Sequence, residues 1–306
     1  MARAVSVGII GTGAVGASVA VSTLHGGVAQ SLLLHDLRTA VAEGEAMDLA
    51  DGGPFYPTAA VRSVDLEALL ETDALVVAAG RNGRPGESRL DLLRDNVIVV
   101  RELGDRLRRY GGVVVVVSNP VDVLTFELTR ASGLPPERVL GTGTMLDTAR
   151  LRHVVGAALT IDPRSVHAQV VGEHGDSEVA LWSSATAGGV PLRQWPSWTD
   201  ALETQLTGRV RTAAYEIIKR KGVTNHAIGL VTASLLKAVL RGEERVLTVS
   251  RVQHGAAGLH DVALSLPTVV GAGGAARVMT PVMTADEQQR LDRSAEILRA
   301  ALAAVA

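Results

Sequence analysis

Apolar positions fall into two regimes along this chain. In the first half, short and nearly uniform apolar runs recur: Ala4 to Ile10, Ser31 to His35, a run about Val61, Leu75 to Ala79, and Val113 to Val117. Uniform runs of strand length predict strands buried on both faces of a parallel sheet, because a strand with one wet face alternates instead. Helical segments lie between them, Ala17 to Leu24 and Leu90 to Tyr110 among them. Strands alternating with helices predict an α/β fold with a doubly wound parallel sheet of Rossmann type. Past residue 150 the alternation weakens. Helices over Thr204 to Lys221 and Asn225 to Leu240, strands over Val246 to Ser250 and Val262 to Leu266, and a closing helix from Ala285 predict an α+β second half. The expected division is residues 1–143 for the sheet domain and 144–306 for the α+β domain.

The first run opens onto Gly11-Thr12-Gly13-Ala14-Val15-Gly16, a GxGxxG between a strand and a helix. Its glycines allow a tight turn, close approach of a pyrophosphate, and tight helix packing, while the helix N-terminus presents N–H donors to phosphate. The second strand ends at Asp36, where an acid accepts hydrogen bonds from the adenosine ribose hydroxyls. Gly11, Gly13, Val15, Gly16 and Asp36 are therefore expected cofactor contacts. NAD is expected over NADP, although Arg38 is a nearby residue suited to a 2′-phosphate. Ligands bind at the carboxyl ends of strands in such sheets, which adds Gly80, Val117, Ser118 and Asn119. Gly80 opens a loop, Gly80 to Arg89, that is rich in glycine and arginine and has the character of a lid.

The stretch Gly172-Glu173-His174-Gly175-Asp176-Ser177 follows an apolar run, Val166 to Val171, that predicts a strand delivering His174 to a sheet edge. Histidine exchanges protons near neutral pH. Asp147 and Arg150 stand three apart in a segment expected to open a helix, so they share one face of it.

Composition narrows the partners. A chain of 306 residues, 47% hydrophobic, can bury a large core. A net charge of −2 without a long basic run argues against nucleic acid and a membrane surface as partners, and favours small metabolites. The lack of cysteine excludes a thiolate nucleophile, a disulfide framework, and a Cys-ligated zinc or iron–sulfur centre. With no signal-peptide layout and no apolar run of about 18 residues, a cytoplasmic protein is expected. Tyr215 and Lys219 match a YxxxK pattern, which helix spacing explains.

Taken in order, GTGAVG, GRPGESR, SNPVD, LDTAR, GEHGDS and KGVT resemble the L-lactate and malate dehydrogenase family, nearer its lactate branch, over the whole chain. The resemblance implies an NAD-dependent enzyme that interconverts pyruvate or a related 2-oxo acid and the L-2-hydroxy acid. It assigns the proton to His174, the orientation of that ring to Asp147, and the grip on the substrate carboxylate to Arg150. Arg89 would polarise the carbonyl on closure of the loop, Asn119 would bind the same oxygen, and Asp122 and Thr224 would help form the substrate site. Arg152 and His167 match the positions that bind fructose 1,6-bisphosphate in allosteric bacterial members, which implies that effector and a homotetramer. Gly83 departs from the pattern, standing where lactate dehydrogenases carry glutamine and malate dehydrogenases arginine. A malate or bulkier 2-hydroxyacid dehydrogenase stays open on that ground, as does a catalytically silent NAD-binding regulatory protein. Against the silent alternative stands the intact set His174, Asp147, Arg150 and Arg89.

A side chain restored at the discriminating position should narrow the pocket. Gly83→Gln is expected to raise the preference for pyruvate over bulkier 2-oxo acids by about 1–3 kcal/mol in relative kcat/KM. An unchanged ranking across a panel of 2-oxo acids would remove Gly83 from the specificity argument.

Overall fold

The computed structural model describes residues 4–81 and 89–306, Arg89 by its main chain alone. In chain order the first half runs β1 (Ser6–Ile10), α1 (Ala14–His25), β2 (Ser31–His35), α2 (Thr39–Asp51), β3 (Ala60–Ser63) and α3 (Leu66–Leu69). It continues through β4 (Ala74–Val77), α4 (Arg89–Leu107), β5 (Val113–Val116), α5 (Val121–Ser132) and β6 (Val139–Gly141). These strands lie in the order β6-β5-β4-β1-β2-β3, each neighbouring pair parallel. The winding reverses direction between β1 and β4, and a crevice at their carboxyl ends is the physical consequence.

Two cores explain the uniform apolar runs. Along β5, Val114 and Val116 join a cluster with Val97 and Val100 of α4 and Leu124 and Leu128 of α5. Val113 and Val115 face the other way, into a cluster with Val19 of α1 and Ala46 of α2. The two-residue alternation of a strand is present, but both faces are dry, so polarity does not display it.

The second half runs α6 (Met145–Leu159), β7 (Val166–His167), β8 (Val170–Val171), β9 (Val179–Ala180), β10 (Thr186–Ala187) and β11 (Val190–Pro191). Then come α7 (Asp200–Lys221), α8 (His226–Arg241), β12 (Arg245–His254), β13 (His260–Gly271), β14 (Gly274–Val278) and α9 (Ala285–Ala303). Helix ends follow local chemistry. The Thr199 hydroxyl accepts the Leu202 N–H at 3.2 Å to start α7, and Gly222 ends it at φ 82°. Thr284 and Glu287 form a reciprocal capping box at the start of α9. No described helix is long and apolar enough to cross a membrane.

One expectation needs correction. The run Val166 to Val171 is not one strand: β7 pairs with β10, whereas β8 pairs with β9 in a separate sheet. Val166, Ala168 and Val170 pack in a core with Trp182 and Trp198, while Val171 enters the core beneath α4 and α5. A segment passing from one core to the next cannot keep one pairing partner. The large sheet continues past β6 into the second half. β12 joins it antiparallel through Ser250 opposite Gly141, giving nine strands among the described residues in the order β14-β13-β12-β6-β5-β4-β1-β2-β3. A bare backbone is needed at this seam, since a Cβ on Gly141 would lie 2.5 Å from Thr125 Oγ1.

α8 crosses α1 just behind the glycine turn, with a Cβ on Gly229 falling 2.5 Å from the Ser18 carbonyl oxygen. Asn225 Nδ2 donates to Ser18 Oγ at 2.9 Å beside that crossing. Gly229→Val should therefore force the helices apart at a cost of about 1–3 kcal/mol. The expected readout is a lower urea midpoint together with weaker NADH binding, because α1 carries the phosphate-facing turn.

Candidate functional site

Three segments meet at the carboxyl edge of the sheet: the turn after β8, the first turn of α5, and the first turns of α6. The turn after β8 holds His174 and is fixed along its backbone. Gly172 N–H donates to the Ser265 carbonyl at 2.9 Å, and Glu173 N–H to Ser294 Oγ at 2.8 Å. His174 N–H donates to Asp122 Oδ2 at 2.7 Å.

The His174 ring is held by Asp147, whose Oδ2 lies 2.6 Å from Nδ1. A carboxylate accepts, so Nδ1 carries the hydrogen and Nε2 is left to exchange a proton. Arg150 Nη1 donates to the other oxygen of Asp147 at 2.9 Å. Side-chain exposure is 24% for His174, 3% for Asp147 and 14% for Arg150, so the chain of charges is largely out of water. Burial alone would lower the His174 pKa, but the Asp147 carboxylate overrides it and raises the ring to about 9. Burial alone would raise Asp147, and the charges of His174 and Arg150 hold it below the ordinary carboxylate range. The arrangement offers a proton at one edge of a ring and a guanidinium within the same pocket.

Asp122 departs from expectation. It is 2% exposed and holds the His174 main chain, which makes it a buried support of that turn and not an open pocket residue. Burial pushes its carboxyl up to about 6. Asn119 is exposed at the rim, its Oδ1 accepting the Val121 N–H at 3.3 Å, which leaves Nδ2 for a ligand. Thr224 is half-buried between α7 and α8. Gly83 lies outside the described residues, as does the Arg89 side chain. Arg81, at the start of that loop, is anchored to α4 by its ion pair with Asp95 at 2.6 Å.

The glycine turn fits a dinucleotide. Gly11 has φ 90°, and a Cβ there would sit 2.7 Å from Ala79 N; a Cβ on Gly16 would sit 1.9 Å from the Gly11 carbonyl oxygen. Gly13, by contrast, has no atom within 4 Å of where its Cβ would be, and no side chain caps α1 there. Open space in front of uncapped N–H groups is what a pyrophosphate requires. Val15 is half-buried behind the turn, and across the crevice Gly80, the buried Val117 and Ser118 form the facing wall, with Ser118 Oγ donating to the Ala79 carbonyl. Asp36 Oδ2 accepts the Thr12 N–H at 2.9 Å, and its Oδ1 accepts the Arg38 N–H at 2.9 Å. Burial alone would raise this carboxyl, but the hydrogen bonds from Arg38 and Thr12 keep it below the usual range. An ionised Asp36 suits ribose hydroxyls and repels a 2′-phosphate, which matches NAD.

Sequence reasoning missed Glu178. It is 7% exposed, one turn beyond His174, and its carboxyl is raised by burial and by the charge of Asp147, to about 8. Nothing in its spacing distinguishes it from a surface glutamate. Tyr215, attributed to helix spacing, donates its hydroxyl to Asp176 Oδ1 at 3.0 Å and so ties α7 to the His174 turn. Arg152 Nε donates to the Ala168 carbonyl at 3.0 Å, next to the exposed His167 on β7.

Comparison with known proteins agrees with this geometry. Residues 5–141 match the NAD binding domain of lactate/malate dehydrogenase, and residues 144–306 match the alpha/beta C-terminal domain of lactate/malate dehydrogenase. The L-lactate dehydrogenase of Synechococcus sp. is 45% identical over 294 residues, 95% of this chain and 96% of that one. That of Kosmotoga olearia is 40% identical over 309 residues, 98% of this chain and 96% of its own. The crystal structure of the minor L-lactate dehydrogenase from Enterococcus mundtii superposes with a TM-score of 0.96 at 39% identity, covering 99% of this chain and 98% of that one. With its fold, its dinucleotide turn and both halves of its length matched, the chain belongs to the lactate/malate dehydrogenase family.

Proposed function

We propose that the chain is an NAD-dependent L-lactate dehydrogenase, an oxidoreductase that interconverts pyruvate and L-lactate. The observation that carries this is the buried sequence His174, Asp147, Arg150, joined by bonds of 2.6 and 2.9 Å. Relatives named L-lactate dehydrogenase at 36–45% identity over nearly full length favour it over the malate, bulkier-substrate and silent-module alternatives.

NAD, when bound, supplies the hydride acceptor or donor. Toward it the chain offers Gly11, Gly13, Val15 and Gly16 at the phosphates, Asp36 at the adenosine ribose, and Gly80, Val117, Ser118 and Asn119 along the crevice. For the substrate, Arg150 binds the carboxylate through paired N–H donors, and Asn119 and Arg89 bind the oxygen at the reacting carbon. His174 Nε2 takes the hydroxyl proton in lactate oxidation and returns it in pyruvate reduction. Asp147 keeps the ring oriented and offsets its positive charge. Thr224 borders the methyl group. The functional boundary falls at 143/144, where the seam between β6 and α6 lets the first half hold the cofactor and the second supply most of the substrate groups. The cytoplasm is the compartment this reading assigns.

Regulation by fructose 1,6-bisphosphate in a homotetramer belongs to the same reading. Supporting it, Arg152 is bonded beside His167, so one cationic side chain and one imidazole share a patch. Two copies of that patch across a two-fold axis would gather four groups for two phosphates. Exposed Met47 on α2 and Leu230 on α8 provide apolar surface for assembly.

His174→Ala is expected to lower kcat/KM for pyruvate by roughly 100- to 10,000-fold, since proton transfer is lost. Pyruvate reduction uses the protonated ring and lactate oxidation the neutral one, so a ring raised to about 9 sets opposite slopes. As pH climbs through that value the reductive rate should fall and the oxidative rate rise; initial rates of NADH loss and gain across pH 6–10 test both, and near-wild-type turnover by the variant would sink the assignment.

The bisphosphate should shift the pyruvate saturation curve to lower concentration. Arg152→Gln with His167→Gln should abolish that shift, and a wild-type curve indifferent to the effector would show the patch to be vestigial.

A further inference from the structure

Asp122 is a buried acid with one oxygen satisfied and the other not. Its Oδ2 accepts the His174 N–H at 2.7 Å, whereas its Oδ1 is buried without a hydrogen-bond partner. Ser250, opposite Gly141 at the seam where β12 joins β6, acts on the same carboxyl, but its Oγ falls outside hydrogen-bond geometry and is itself buried and unpartnered. A half-satisfied carboxyl at this depth works against stability, and a neutral side chain of the same shape would sit there more readily. The acid therefore calls for a reason other than packing.

Its place on α5 supplies one. Asp122 lies in the first turn of that helix, three residues after Asn119 at the rim. Asn119 is itself fixed there: its Oδ1 accepts the Val121 N–H at 3.3 Å, and Asn96 Nδ2 donates to its main-chain carbonyl at 3.2 Å. One helix end thus presents Asn119 outward and, through Asp122, holds the main chain of His174. From α6, Asp147 holds the ring of the same histidine at 2.6 Å. Two carboxylates on two helices grip one residue at its backbone and at its Nδ1, which leaves Nε2 with little freedom relative to Asn119.

Resting on the dehydrogenase reading of His174 and Asn119, we propose that Asp122 is a positioning residue for the proton transfer, holding the two in register so that both meet one substrate oxygen. It acts through the His174 main chain and touches neither substrate nor cofactor. The guanidinium of Arg150 is bonded to Asp147 and not to Asp122, so loss of Asp122 misplaces the proton while the carboxylate clamp stays in place. A misplacement of about 1 Å in such a site lowers the rate on the order of 100-fold.

The test uses the full chain with NADH and pyruvate, comparing D122A and D122N by initial rates, by NADH binding and by urea unfolding at neutral pH. D122A removes the acceptor of the His174 N–H, and its kcat should fall by up to about 100-fold while KM for pyruvate and the affinity for NADH stay close to wild type. In D122N the amide oxygen can accept the same N–H and the amide nitrogen can donate to Ser250 Oγ, so most of the lost kcat should return. Its urea midpoint should not fall below that of the wild type, because a buried, half-satisfied carboxyl has gone. Should D122A fail to fold, D122S takes its place with the same expected split, since its hydroxyl stays polar but is too short to reach the His174 N–H. Wild-type kcat in D122A or D122S would overturn the proposal. So would a D122N enzyme no better than D122A, with kcat, KM and urea midpoint all impaired together, the mark of a residue that only maintains the fold. Wild-type enzyme that oxidises NADH with no 2-oxo acid would overturn the dehydrogenase reading and the proposal with it, a result distinct from failure in the variants alone.

Discussion

One buried carboxylate, Asp147, is bonded through its two oxygens to two different cations, and the geometry of the pocket depends on that sharing. Oδ2 fixes the His174 ring and Oδ1 fixes Arg150, so the imidazole and the guanidinium cannot drift apart without breaking a charge-assisted bond. At 3% exposure, removal of the acid would strand two cations away from water, a loss of about 3–5 kcal/mol for a buried pair. The same low-dielectric setting that makes this costly makes the bond directional. It also lifts the ring to about 9, which keeps a proton on it at neutral pH.

Such a centre requires a rigid mounting, and it has three. Asp122 reaches from α5 to the His174 main chain, Ser294 reaches from α9 to Glu173, and Ser265 of β13 pairs with Gly172. These anchors come from elements far apart in sequence, so the second half of the chain is needed to set a residue that lies near the middle. The antiparallel extension of the sheet through β12 and β13 acquires a purpose in this light: it brings Ser265 to the turn that holds His174.

The cofactor side is organised by bare backbone. Gly11 and Gly16 permit contacts that any Cβ would prevent, and Gly13 leaves room ahead of α1. Asp36 joins the turn to the end of β2 through Thr12 while remaining ionised toward the ribose position. α8 presses on α1 from behind at Gly229, so the phosphate-facing helix is held between the sheet and the second half.

Sequence alone determined the parallel sheet and the dinucleotide turn, because each rests on local spacing: apolar runs of strand length, glycines a fixed distance apart, and an acid at the next strand's end. Asp147 and Arg150 were legible as one helical face for the same reason. What tertiary structure alone decided is which face meets which. The break between β7 and β8 follows from two cores competing for one apolar run, and the attachment of β12 to β6 from a seam that only glycine fits. Asp122 reads as a pocket residue until the fold buries it beneath His174. Glu178 reads as a surface charge until the turn carries it inward. Burial and electrostatic partnership are properties of packing between distant segments, and no local pattern records them.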